Sequence, residues 1–271
     1  MLVILLKNKN MSSQNKAKKY SKKNIIIEKT QRFDRLDALR GLAMIWMTVF
    51  HFCFDLNYFG FTKQNFYEDR FWTTQRIIIV SLFLFCAGMG QAIATSQGLS
   101  WSHFWKRWRR VAGAAFLVTI GSYFAYPDSF IYFGVLHAVA IMLIIMRLTV
   151  NLQTGLWFLG VTFVCLKFIL PSAFITFPAL EIFNQPLLNW IGIISYKPRT
   201  EDYVPLIPWL GVMWLGLATG YSLIKNKSDY FSGSLPVKLQ PLAFLGRYSL
   251  SYYLVHQPFL FGIVLLVKKL I

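Results

Sequence analysis

Residues 32–60 read RFDRLDALRGLAMIWMTVFHFCFDLNYFG, and the apolar run from 39 to 59 is long enough to cross the roughly 30 Å core of a bilayer as one helix. The run is not uniformly apolar. Asp37, Arg40, Met44, Thr48, His51 and Asp55 recur at spacings of three or four, which places them on one helical stripe. An ionisable side chain in mid-span costs ~2.5–3.5 kcal/mol on insertion scales, so the stripe faces the interior of a bundle and lipid covers the opposite side.

Working outward, further apolar runs predict helices near 75–96, 111–126, 130–147, 154–171, 205–224 and 245–267. The fold class is therefore all-α: a polytopic integral membrane helical bundle of about seven transmembrane helices. Composition agrees, with 56% hydrophobic and only 14% charged residues where a soluble domain has about 25% charged. Two domains follow, a basic cytoplasmic tail over 1–31 without hydrophobic periodicity and a single membrane domain over 32–271.

The net charge of +17 does not indicate nucleic acid, because the cations cluster between apolar runs. Before Gly41 stand eight Lys and three Arg against Glu28, Asp34 and Asp37, which the positive-inside rule places in the cytoplasm. The basic loop with Lys106, Arg107, Arg109 and Arg110, the turn after Arg147, and Lys225, Lys227 and Lys238 share that side. Glu68, Asp69, Asp128, Glu181, Glu201 and Asp202 fall on the other. Lys268 and Lys269 break the rule, unless a re-entrant segment near 186–195 reverses the final helix. The lipid bilayer is the expected partner, and a bacterial inner membrane the expected location; assembly as a homo-oligomer stays open. Cys53, Cys86 and Cys165 lack metal or disulfide spacing, and no metal is expected.

His51 and Asp55 lie one turn apart, so the carboxylate can accept the imidazole N–H and raise its basicity, as a general base requires. The alternative is that Asp55 reaches water while His51 bonds a carbonyl. His137 and His256 also fall in apolar spans at comparable depth and can meet His51 in one cavity, or each be a satisfied core histidine. Asp202, in EDYVPLIPW at 201–209, is placed to line the outer mouth of that cavity or simply to be solvated. Arg40 and WKRWRR at 105–110 suit lipid phosphates, or the phosphates of a nucleotide-bearing donor. CAGMGQAIA at 86–94 reads as small-residue helix packing, not a phosphate loop.

The opening stretch, with SLFLFCAGMG, FGVLHAVA, DYVPLIPWLG and LGRYSLSYYLVHQP, resembles a bacterial membrane family grouped with the catalytic domain of heparan-alpha-glucosaminide N-acetyltransferase. The likeness runs from about 32 to 260. The pattern R-x-x-x-x-D-x-L-R-G at 32–41, followed by a histidine, is also similar to transmembrane acyltransferases that modify envelope sugars.

The resemblance implies an acyltransferase that takes acetyl from cytoplasmic acetyl-CoA, its co-substrate, and passes it to an amine or hydroxyl of a small-molecule or glycan acceptor across the bilayer. Coenzyme A phosphates would rest on Arg40, Lys106, Arg107, Arg109 and Arg110. His51, oriented by Asp55, would act as base or acetyl carrier, while His137, Asp202 and His256 bind the acceptor. In the lysosomal member the essential histidine lies further on, where this chain has Thr62. A transporter or lipid flippase without covalent chemistry is the second reading, since the same stripe could line a permeation path.

Overall fold

The computed structural model describes residues 33–226 and 235–270. The tail expected over 1–31, and Lys227, lie outside the described residues. From Asp34 the chain forms one compact unit. Its helices are α1 (Asp34–Tyr58), α2 (Arg70–Ser96), α3 (Trp101–Ala125), α4 (Val135–Thr149), α5 (Gly155–Thr176), α6 (Leu206–Lys225), α7 (Gln240–Arg247) and α8 (Ser249–Leu270), with short 3-10 turns between some of them. No strand occurs among the described residues.

Local chemistry sets several boundaries. Asp34 and Asp37 occupy the first turn of α1, where the helix dipole favours negative charge. The Asp69 carboxylate accepts the Phe71 N–H at 2.7 Å and caps α2. Ser100 caps α3, so the basic segment expected as a loop is instead the start of a helix. The helix expected over 245–267 is broken at Tyr248 into α7 and α8. In the long loop, residues 186–195 hold only the 3-10 turn Asn189–Ile191 and no re-entrant helix.

Six helices, α1, α2, α4, α5, α6 and α8, are long and apolar enough to cross a membrane. Helix α3, which covers the remaining expected span, has 25 residues, but Lys106, Arg107, Arg109 and Arg110 fall within its first ten positions and leave only the remainder apolar. Phe124, Phe158, Phe168 and Ile175 are 74–85% exposed, a degree of apolar exposure that fits lipid as the surrounding solvent.

Packing closes five helices into a ring: α1 rests on α2 and α8, α8 on α3, α3 on α4, and α4 on α2. Helix α6 backs this ring against α2 and α4, and α5 lies beyond α6. Small residues permit the closest approaches. A Cβ at Gly88 would collide with the Met213 carbonyl and one at Gly216 with that of Phe85, which is why CAGMGQAIA serves as a packing face for α6. Gly41 and Gly246 similarly bring α1 and α7 into backbone contact, against Leu242 and Asp37.

Helices α1 and α8 run in the same direction. Lys268 Nζ donates to the Phe59 carbonyl at 2.7 Å just past the end of α1, so this cation compensates exposed carbonyls at a helix C-terminus. That contact gives Lys268, which the charge-bias rule alone does not explain, a local structural role.

Candidate functional site

The α1–α8 seam brings two histidines together. The His51 and His256 rings lie 5.2 Å apart between centroids, at 62°. Tyr252 stacks on His256 at 5.8 Å, and its hydroxyl shares a 2.6 Å hydrogen bond with Thr48 of the α1 stripe. His256 Nδ1 lies 2.7 Å from the Tyr253 carbonyl. A carbonyl only accepts, so Nδ1 carries the proton and Nε2 keeps its lone pair. No partner for Nε2 is present among the described residues, although His256 is 6% exposed.

Asp55, 1% exposed, sits one turn beyond His51. The hydrogen bond expected between them is not formed. Asp55 Oδ1 instead accepts from Gln257 Nε2 of the neighbouring helix at 2.8 Å. Asp55 Oδ2 and Gln257 Oε1 have no partner among the described residues. Three buried polar atoms on the α1–α8 seam, Asp55 Oδ2, His256 Nε2 and Gln257 Oε1, are therefore unsatisfied among the described residues. Buried groups of this kind normally cost ~1–3 kcal/mol each, and in native proteins they ask for a ligand or water.

His137 and Asp202 occupy a second cluster at the start of α4. His137 Nδ1 accepts the Gly134 N–H at 3.3 Å and its Nε2 meets Thr119 Oγ1 at 2.9 Å, so both ring nitrogens have partners in the protein. Asp202 Oδ2 accepts the Val135 N–H at 2.8 Å. Desolvation pushes the Asp202 carboxyl above the usual carboxylate range, opposed by that N–H, Lys197 and Arg76. The clusters are linked: Tyr253, 5.6 Å from His256, is within electrostatic range of Asp202, and Tyr126 of both Asp55 and Glu201. Thr62 is held by Asn57 at 3.3 Å.

At the opposite end of α1, Arg40 Nη1 donates to Asp37 at 2.9 Å and Nη2 to the Cys86 carbonyl at 3.2 Å. Arg107 and Arg110 of α3 stand within electrostatic range of one another, and Arg107 of Arg40 as well. Lys106 and Arg109 are exposed on the same helix end. Arg247 of α7 pairs with Asp34 at 2.8 Å and approaches Asp37 at 3.8 Å, tying both acids of RFDRLDALRG to LGRYS. Among the described residues no three His, Cys, Asp or Glu stand close enough to hold a metal.

A family model described as heparan-alpha-glucosaminide N-acetyltransferase, catalytic, matches residues 32–258. The chain belongs to this family. The match spans α1 to the His256 turn of α8, and so contains both the Arg40 cluster and the His51–His256 pair. No curated protein and no solved structure matches the chain. Membership in the heparan-alpha-glucosaminide N-acetyltransferase catalytic family, with the apolar helices, makes it an integral membrane transferase of the acetyltransferase class.

Sequence reasoning missed Gln257, Tyr252, Arg76 and Arg247. Gln257 and Tyr252 follow and precede a histidine already singled out, and their partners lie on another helix. Arg76, a cation in the second turn of a span, carried the same signal of intramembrane charge that exposed Arg40.

Proposed function

We propose that the chain carries acetyl from acetyl-CoA at its basic, cytoplasmic end to an amine or hydroxyl of a sugar-containing acceptor at the opposite side of a bacterial inner membrane. Residues 32–271 form the catalytic domain behind the basic tail. The observation that carries this reading is the trio of unpartnered buried atoms on the α1–α8 seam, Asp55 Oδ2, His256 Nε2 and Gln257 Oε1, with the His51 and His256 rings in contact on the same seam. They are the polar groups that a substrate inside the bundle would satisfy.

Geometry supports the route. From Arg40 to His51 the α1 axis advances about 16 Å, a distance that the extended pantetheine arm of coenzyme A covers. Donor phosphates would rest on Arg40, Arg107 and Arg110, with Lys106 and Arg109 at the rim, and the thioester would reach the histidine pair. His51 takes the acceptor proton as nitrogen or oxygen attacks the thioester carbonyl. The C–S bond breaks and the thiolate leaves with that proton. His256, its tautomer fixed by Tyr253, holds the second lone pair at the site. Asp55, held by Gln257, stabilises the imidazolium that forms. His137 and Asp202 shape the acceptor end.

The test is a sided assay. Protein reconstituted in liposomes receives acetyl-labelled coenzyme A outside and glucosamine inside. Trapped N-acetylglucosamine that depends on the protein supports the reading. Flux of unmodified glucosamine with intact acetyl-CoA supports transport instead.

A further inference from the structure

Away from the α1–α8 seam, the ends of α2, α3, α4 and α6 enclose an open cavity of about 410 Å³. Its walls include Thr95, Ser96, Trp101, Arg147, Asn151 and Tyr221, and no carboxylate lines it. Arg147 is built into the wall: its guanidinium lies 5.0 Å over the Trp101 ring, and Nη2 donates to the Leu99 carbonyl at 2.6 Å. Guanidinium offers five N–H donors in a planar fork, and no acidic partner for Arg147 is present among the described residues. Thr95 and Tyr221 share a 2.6 Å hydroxyl bond at the back.

The surroundings fix the depth. Trp101 and Trp105 are exposed, stack at 6.3 Å, and stand beside the basic start of α3, the aromatic and cationic arrangement of a membrane–water interface. Leu148, 66% exposed, also lines the cavity and gives it an apolar lip. A cation with free donors, hydroxyls behind it and an apolar lip is chemistry for a phosphate group that carries acyl chains.

We infer that this cavity is a binding site for the phosphate headgroup of an anionic phospholipid, separate from the donor path on Arg40 and Arg107. Such a lipid would brace the ends of α2, α3 and α4 at the face where the donor enters.

The full chain is purified in detergent and offered equal amounts of phosphatidylglycerol and phosphatidylcholine, and retained lipid is read by native mass spectrometry. Wild type should keep phosphatidylglycerol selectively. Arg147→Gln should lower that retention about fivefold, the effect expected for one interfacial cation. Asn151→Trp, which fills the cavity from an exposed turn, should lower it as well, so the result does not hang on the folding of one variant. Lys269→Gln, at the C-terminal end of α8, which does not line the cavity, should change nothing. Equal retention of both lipids, or wild-type retention in both cavity variants, overturns the inference. Displacement by inorganic phosphate also overturns it, by assigning the site to a soluble phosphate compound.

Discussion

The side-chain amide of Gln257 donates to Asp55 Oδ1 at 2.8 Å across the seam between α1 and α8, and thereby occupies one oxygen of the carboxylate that local spacing offers to His51. Asp55 is thus fixed from the neighbouring helix, and the histidine pair forms beside it. Replacing Gln257 with Leu leaves a buried acceptor bare. Thermal unfolding in detergent should show a loss of ~1–3 kcal/mol, with acetyl transfer reduced at matched protein. Gln257→Glu should be at least as damaging, because it sets two acids in contact. Wild-type stability and activity in both variants would remove this bond from the account.

His51 and His256 should behave as one unit. Each single alanine variant is expected to abolish most transfer, and the double variant to lose little more, a non-additivity that a double-mutant cycle measures. Strictly additive losses would mean that the rings act independently.

Gly246 is where α7 meets the backbone of α1, and an added Cβ would collide with the Asp37 carbonyl. Gly246→Ala should destabilise by ~1–3 kcal/mol, since backbone cannot yield as a flexible side chain can. Arg247→Gln should cost only ~0–1 kcal/mol, because its pair with Asp34 is about one-third exposed on each side. Thermal denaturation of the two variants ranks them, and the reverse order would contradict the packing described.

Asp202 supplies a pH dependence. Its carboxyl titrates above its unfolded value because of desolvation, so folded protein holds the proton longer than unfolded chain does. The associated stability is complete below the unfolded value and is lost as pH rises through the folded one. Asp202→Asn keeps an acceptor for the Val135 N–H and should flatten this fall in unfolding scans across the acid range. An unchanged slope in the Asn variant would assign the effect elsewhere.

The spans were legible because runs of about 20 apolar residues have few other fates, and the α1 stripe because intramembrane charge needs an interior. The start of α3 was hidden by its own basic residues, which suggest a loop, although Ser100 in front of Trp101 is a capping signal. The break at Tyr248 falls at Gly246-Arg247-Tyr248-Ser249 and accompanies the approach of Gly246 to α1, a contact with a distant helix that local sequence does not encode. His51 with Asp55 was the visible pair by spacing. The pairs that form, His51 with His256 and Asp55 with Gln257, join opposite ends of the chain and depend on which helices become neighbours.

The most direct measurement is the rate at which coenzyme A thiol is released from acetyl-CoA, in the presence of acceptor, by purified wild type and His51→Gln with the same melting temperature. General-base participation predicts a loss of about 10²–10⁴-fold in the variant. Release at the wild-type rate would show that the imidazole on α1 takes no part in the chemistry.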